Sequence, residues 1–551
     1  MQNLTEYAKS QVREAVISAL EKLSADIPSF IVEVPADPVN GDFSCNAAMV
    51  CAKALKKNPR EIAGAIIENL TKNDIFERYE TAGPGFINFY LAPDWYSRAV
   101  GEIIAQAENF GKTNFGAGKR VLIEFVSANP TGPMHIGNAR GGALGDSLAS
   151  VMEQAGYLVE REFYINDAGN QVNKLGLSLD IRYRQELGEE VEMPEDSYHG
   201  EDIVEHVKNY INLHGDKLLA VSEEERRAEL ANYALPLNIE TLEKDLAKYR
   251  IKYDTWFKES KLHEQGAPLK IVELLKEKGH TYEQDGAVWL KASDFGDEKD
   301  RVLVRSNGVP TYLVPDIAYH YNKLVERKFD LAIDILGADH HGYIPRMNAA
   351  LQALGIDISR FKVIIMQMVR LTQGGETIKL SKRSGKAITL ATLLDEVPLD
   401  AARFFFNLRE ANTHIEFDLD LAIEESNKNP VYYVQYAHAR ICSIIRRLAD
   451  EGVTCKFPEN LVFTEKAEYE LIKKAASLPS EINLAAEELN PARITRFVQE
   501  LAQLFNKFYE TCRIKGEEKS VLQSRLTLCH AVKITLKNAL GILKVEAPEK
   551  M

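Results

Sequence analysis
The chain has 551 residues, which at about 150 residues per domain means more than one hydrophobic core. Hydrophobic residues make up 45% and charged residues 27%, as in ordinary globular proteins, and no apolar run approaches the ~18 residues of a membrane-spanning helix. Lys and Arg number 67 against 81 Asp and Glu; the net charge of −14, taken as a whole-chain average, argues against a nucleic-acid binder, whose footprint is basic.

Glu6, Lys9, Arg13 and Glu14 interrupt the first apolar residues, so no signal peptide is expected there. Leu4, Val12, Val16 and Leu20 follow helical spacing. Asp42 to Leu55 reads as a second helix, and Asn58-Pro59 opens a third. Gly83-Pro84-Gly85 then turns the chain into the alternating strand Phe86-Ile87-Asn88-Phe89. Residues 1–112 are therefore expected to form a small α+β domain, with the glycines between 111 and 118 as linker.

A different pattern begins at Val121-Leu122-Ile123-Glu124-Phe125-Val126, an apolar run typical of a buried parallel strand. A loop with Pro130, Gly132 and Pro133 follows, then a helix over about 136–156 and a strand over 159–165. Residues 331–336, a helix after Gly342 and residues 361–369 repeat the unit. Two βαβ halves split by an insertion at about 175–255 describe a doubly wound catalytic domain over 113–385. From about 390 the pattern is almost wholly helical: a connecting segment over 386–430, then an all-α domain over 431–551.

Two loops in this frame suit phosphate. Pro133-Met134-His135-Ile136-Gly137-Asn138 lies between a strand and a helix N-terminus, where free N–H groups and the helix dipole favour anions, although an incidental histidine at a helix cap would look the same. Lys379-Leu380-Ser381-Lys382-Arg383 gathers cations between glycines, as a solvated basic loop would also do. The pairing is informative, because both loops follow strands that end at the carboxyl edge of a doubly wound sheet, where ligands sit.

Together these segments resemble the His-Ile-Gly-His and Lys-Met-Ser-Lys-Ser signatures of class I aminoacyl-tRNA synthetases. Val121–Phe125, Ser127-Ala128-Asn129-Pro130-Thr131-Gly132, Pro310–Leu313 with Asp316–Tyr319, Tyr432–Arg440, Gly41–Asn46 and the ending Ala547-Pro548-Glu549 narrow the resemblance to the bacterial arginyl-tRNA synthetases over essentially the whole chain. Asn138 stands where that signature has its second histidine, and Leu380 and Arg383 stand where it has Met and Ser.

The resemblance implies a split Rossmann-type catalytic domain, an N-terminal α+β tRNA-binding domain and a C-terminal helical-bundle anticodon-binding domain. It implies arginine activation by ATP, needing tRNA, followed by transfer to the tRNA's terminal adenosine. His135, Asn138, Lys379 and Lys382 would be catalytic, and Pro133, Gly137, His340, Leu380 and Ser381 would join them in holding ATP. Arginine would lie among Glu124, Asn129, Glu259, Tyr312, Asp316 and His340; a planar guanidinium is best met by carboxylates and flat acceptors. Phe43, Asn46, Tyr433, Tyr436, Arg440 and Arg447 would contact tRNA.

Mg²⁺ would accompany ATP, with no tightly bound protein metal site. Asp339-His340-His341 is a weak metal candidate, since adjacent histidines in one loop do not converge on an ion easily. The six cysteines include no Cys-x-x-Cys pair and read as reduced thiols of a cytoplasmic protein, expected to be a monomer. A cysteine-specific class I enzyme would call for a thiol-selecting zinc site that this spacing does not offer, and a non-catalytic paralogue should have lost the phosphate loops.

Divided along the chain, the charge changes meaning. Residues 431–551 hold 18 basic and 15 acidic side chains, whereas 181–250 hold 9 and 17. The acidic excess concentrates partly in the insertion, leaving local basic tracks available for RNA.

Overall fold
The apolar run from Val121 becomes the middle of a five-stranded, all-parallel sheet in the computed structural model, which describes residues 3–23, 28–35, 37–340, 342–378 and 388–551. The strands are Arg120–Glu124, Leu158–Ile165, Thr255–Lys258, Leu331–Gly337 and Phe361–Met366. Across the sheet they run fifth, fourth, first, second, third, so the first and fourth lie side by side where the winding reverses. That switch point leaves a crevice at the carboxyl ends of both strands. Val121 and Ile123 face one core and Ala332 another, so the sheet is covered on both faces.

Two insertions interrupt the winding. Helices Asn170–Glu186, Glu201–His214 and Glu223–Lys248 form the first, around their own core of Leu175, Tyr183, Val207, Tyr210 and Leu230. The second, missed in the sequence pattern, comprises helices Glu259–Glu264 and Ala267–Glu277 and an antiparallel sheet of Thr281–Gln284, Ala287–Leu290 and Arg301–Val304. It delivers the helix Leu313–Tyr321, which runs on through a π-helical turn, Asn322–Glu326.

Two expectations are corrected. Phe43–Cys45 is a strand rather than the first turn of a helix: it pairs antiparallel with Phe86–Leu91, and the helix begins only at Ala47. The connecting segment is not wholly helical, because Ile415–Asp418 pairs in parallel with Val369–Gln373. The remaining C-terminal residues form helices Pro430–Asp450, Lys466–Ala476, Leu478–Glu487, Ala492–Thr511 and Lys519–Ile542. The N-terminal domain docks on this bundle: the Tyr96 and Tyr469 rings lie 4.5 Å apart, and Lys473 Nζ reaches Asp42 at 2.6 Å.

Candidate active site
The crevice begins with a strained turn. Val126 and Ser127 have φ of 68° and 39°, in the left-handed region that a β-branched residue rarely adopts, and Ser127 N–H closes a three-residue turn onto Phe125 O at 3.0 Å. Ser127 Oγ holds the turn in place, donating to Glu124 Oε1 (2.8 Å) and accepting from Tyr164 N–H (3.1 Å). Such strain persists only where the surroundings over-determine it, and it collects at functional sites.

Beyond the turn, His135 caps the helix Ile136–Gln154. Its Nδ1 accepts from Gly137 N–H and its own N–H donates to Asn138 Oδ1, both at 3.1 Å. Asn138 therefore closes a capping box, which fixes its side-chain oxygen on the cap. Asn129, Pro133 and His135 are exposed, and Gly137 and Asn138 are half-buried. Thr389 bridges His135, and Leu390 N–H donates to Met134 O at 2.8 Å, so the chain from residue 388 onward packs against the His135 cap. Lys379, Leu380, Ser381 and Lys382 lie outside the described residues.

The first strand carries an acid at its end, and its two neighbours carry acids in their interiors at the same level. Asp334, Glu124 and Glu162 stand in register on three adjacent strands and are 2%, 8% and 0% exposed. In-register residues of a parallel sheet share a face. Three buried carboxylates in a row demand compensation. Lys323, fully buried in the π-helical turn, supplies it with Nζ 2.5 Å from Glu124 Oε2 and 2.8 Å from Asp334 Oδ1. Arg327 lies 2.6 Å from Glu162 Oε2, and Tyr319 donates to Glu162 Oε1 at 2.7 Å.

The row continues toward Asp316. His320 Nε2 faces Asp334 Oδ2 at 2.7 Å, and its Nδ1 faces the Asp316 carbonyl at 2.8 Å. Both partners accept, so both ring nitrogens donate and the imidazole is protonated. Burial opposes that charge, but the Asp334 carboxylate wins and lifts the His320 pKa to about 9. Lys323 and His320 in turn hold Asp334 below the usual carboxylate range despite its burial. Asp316 is half-buried and accepts from Tyr343 Oη at 3.1 Å, a phenol whose pKa burial and the neighbouring carboxylates push well up. Glu259, 9% exposed, accepts from Tyr164 Oη at 2.9 Å.

Not every expected residue converges. Tyr312 is 64% exposed and, as the N-cap with helical backbone angles, lies one turn before Asp316 at the start of the helix Leu313–Tyr321. His340 is exposed beside Asp339, and His341 lies outside the described residues. Among the described residues no group of three or more His, Cys, Asp or Glu is placed to hold a metal.

Phe43 is corrected: it is 2% exposed and packs edge-on against Phe76, so it offers no ring face to a base. Asn46 accepts from Ile31 N–H at 2.8 Å. On the helix Pro430–Asp450, Tyr432 and Tyr436 stack with rings 6.2 Å apart, and Arg440 lies over both Tyr436 and Tyr509. Tyr433 accepts from Asn506 at 2.8 Å, and Arg447 is exposed. The sequence pattern alone did not single out Lys323, His320, Asp334, Glu162 or Tyr343; the signal available was an acid inside an apolar strand, recognised at Glu124 but not at Asp334 or Glu162.

The comparisons with known proteins agree with this architecture. Family models described as "Arginyl tRNA synthetase N terminal domain", "tRNA synthetases class I (R), catalytic domain" and "DALR anticodon binding domain" match residues 9–91, 99–442 and 434–551. The chain is 51% identical to an arginine–tRNA ligase of Caldanaerobacter subterraneus subsp. tengcongensis and 50% identical to one of Acetivibrio thermocellus, each covering 100% of both chains. Its fold matches the Thermus thermophilus arginyl-tRNA synthetase with a TM-score of 0.76 at 22% identity, over 98% of this chain and 100% of that one. With a class I arginine-type catalytic model matching residues 99–442 and arginine–tRNA ligases about half identical over their full length, the chain belongs to the arginyl-tRNA synthetase family.

Proposed function
We propose that the protein is an arginine–tRNA ligase that works in two steps at the switch-point crevice. A carboxylate oxygen of L-arginine attacks the α-phosphorus of ATP, the bond to the bridging oxygen breaks, and pyrophosphate leaves. A hydroxyl of the tRNA's 3′-terminal adenosine, the 2′ by class, then attacks the arginyl carbonyl and releases AMP. Such steps need alignment and charge neutralisation rather than a protein nucleophile.

The N-terminus of the helix Ile136–Gln154 suits the phosphates. His135 and the backbone at Gly137 line it, and the Asn138 amide nitrogen is left to donate once its oxygen caps the helix. Lys379 and Lys382 would meet the departing pyrophosphate, with Leu380 and Ser381 between them. Pro133 and His340 would border the nucleotide, which brings Mg²⁺ on its phosphates. Asp316 would receive the guanidinium, Glu124 and Asn129 the α-amino group, and Glu259 and Tyr312 the flanks. Arginine tRNA would lie along Tyr433, Tyr436, Arg440 and Arg447 of the helical domain, with Asn46 at the N-terminal domain. We place the enzyme in the cytoplasm as a monomer.

The observation that carries this reading is the position of two acids, Glu124 and Asp316, near the two ends of one chain of buried charges beneath the phosphate-binding helix. Arginine-dependent ATP–pyrophosphate exchange tests it. Exchange is expected with arginine and tRNA together. Exchange without tRNA would refute the tRNA requirement, and no exchange under either condition would overturn the reading.

A further inference from the structure
Lys323 is a fully buried cation, and the proposed chemistry gives it no contact with substrate. It rises from a π-helical turn, a distortion that is rare and recurs at functional sites. Its ammonium sits 4.0 Å over the Tyr319 ring and spans the switch point, gripping Glu124 on the first strand and Asp334 on the fourth. One oxygen of Glu124 is fixed by Ser127 and the other by Lys323, both from the protein side. A carboxylate accepts at about four lone-pair sites. Glu124, held in this way and 8% exposed, keeps acceptor capacity beyond these two bonds.

Resting on the reading of Glu124 as the acceptor of arginine's α-amino group, we propose that Lys323 is a positioning residue for that end of the substrate: it aims Glu124 and balances the charge of Glu124 and Asp334, so that the crevice discriminates for the amino group without binding it through Lys323 itself. A cation aimed at the α-amino group would repel it; a cation behind the carboxylate orients the acceptor instead. The other charged and titratable groups around Lys323 are Glu162, His320 and Tyr319, and none of them replaces its link between the two strands.

The test compares two ligands by equilibrium dialysis against the intact protein: L-arginine and 5-guanidinopentanoate, which keeps the guanidinium and carboxylate but lacks the amino group. For Lys323→Met, arginine affinity is expected to fall about 10- to 100-fold, the scale of one lost charge-assisted hydrogen bond, while 5-guanidinopentanoate stays within about twofold. Equal loss for both ligands, or no loss for either, overturns the proposal, because a merely structural role does not sort ligands by one amino group. Lys323→Met/Glu124→Gln removes both charges together and guards against a variant that does not fold. It is expected to bind arginine no more weakly than Glu124→Gln alone, and additive losses would also overturn the proposal. Wild-type protein that fails to bind arginine refutes the site reading itself; wild-type binding with an unsorted Lys323→Met loss refutes only the role of Lys323.

Discussion

At the scale of single residues, the site is governed by how buried acids are compensated. Asp334 and Glu124 are tolerable in their strands because Lys323 and His320 reach them, which explains why a positive side chain with no surface exposure survives here. His320 has a folded-state pKa raised to about 9, above its ordinary 6.5. Its contribution to stability is therefore fully present below about pH 6.5 and is lost as pH rises through 9. The denaturation midpoint should fall between pH 7 and pH 10, and His320→Gln should flatten that fall; an equally steep fall in the variant would show that other groups cause it. Asp316 differs from the buried row in being half-exposed, with Tyr343 donating to it from the protein side. A charge-assisted hydrogen bond contributes about 1.5–3 kcal/mol, so Asp316→Ala should raise the arginine Michaelis constant roughly 10- to 100-fold while that for ATP changes little. An unchanged arginine constant in initial-rate measurements would remove Asp316 from the pocket. These partnerships were only half legible in the sequence. Glu124 stood out as a charge inside an apolar run, but its cation comes from 199 positions later in the chain, a distance that no local pattern spans.

At the scale of elements, the helix Ile136–Gln154 sets how closely its His135 cap approaches the sheet. Small residues on its inner face allow that approach: a Cβ on Gly145 would run into the Phe125 ring, and one on Gly142 would lie 2.7 Å from Ile251 Cδ1. Phe125 is itself fully buried, so it has little room to yield. Overpacking of this kind typically costs about 1–3 kcal/mol. Gly145→Ala should therefore lower unfolding free energy by that order in urea titrations and weaken ATP binding as the cap shifts; a variant as stable as the parent would mean the helix can slide. Arg140, on the same helix and fully buried, donates to the carbonyls of Gln367, Glu410 and Thr413, tying the helix to the end of the fifth strand. The long periodic elements were readable in advance because burial imposes its period on the sequence. Short ones were not. Phe43–Cys45 has three residues and runs almost directly into a helix, so its pattern merges with that of the helix. Ile415–Asp418 is a strand only because Val369–Gln373 offers it a parallel edge.

At the scale of the whole molecule, the net charge of −14 and the stacked aromatics of the helical domain point in opposite directions, and their distribution reconciles them. The first insertion is packed around its own core and carries much of the acidic excess, whereas residues 431–551 have a net charge of +3. Arg440 illustrates the local track: its guanidinium is held over the Tyr436 and Tyr509 rings and donates to Asn506 at 3.0 Å, a preorganised cation beside aromatic faces. Stacking on such faces tolerates salt, whereas phosphate contacts release counterions and do not. Arginine tRNA should therefore bind this protein more weakly as salt rises, with a linear dependence of log affinity on log salt. Arg440→Gln should weaken binding and reduce the magnitude of that slope by about 1, one phosphate contact's worth, whereas Tyr436→Ala should weaken binding with the slope unchanged. Filter-binding titrations across a salt series separate the two. A slope unaffected by Arg440→Gln would mean that Arg440 serves the tyrosine stack rather than a phosphate, and a salt-insensitive wild-type affinity would mean that the local basic tracks do not contact the RNA backbone.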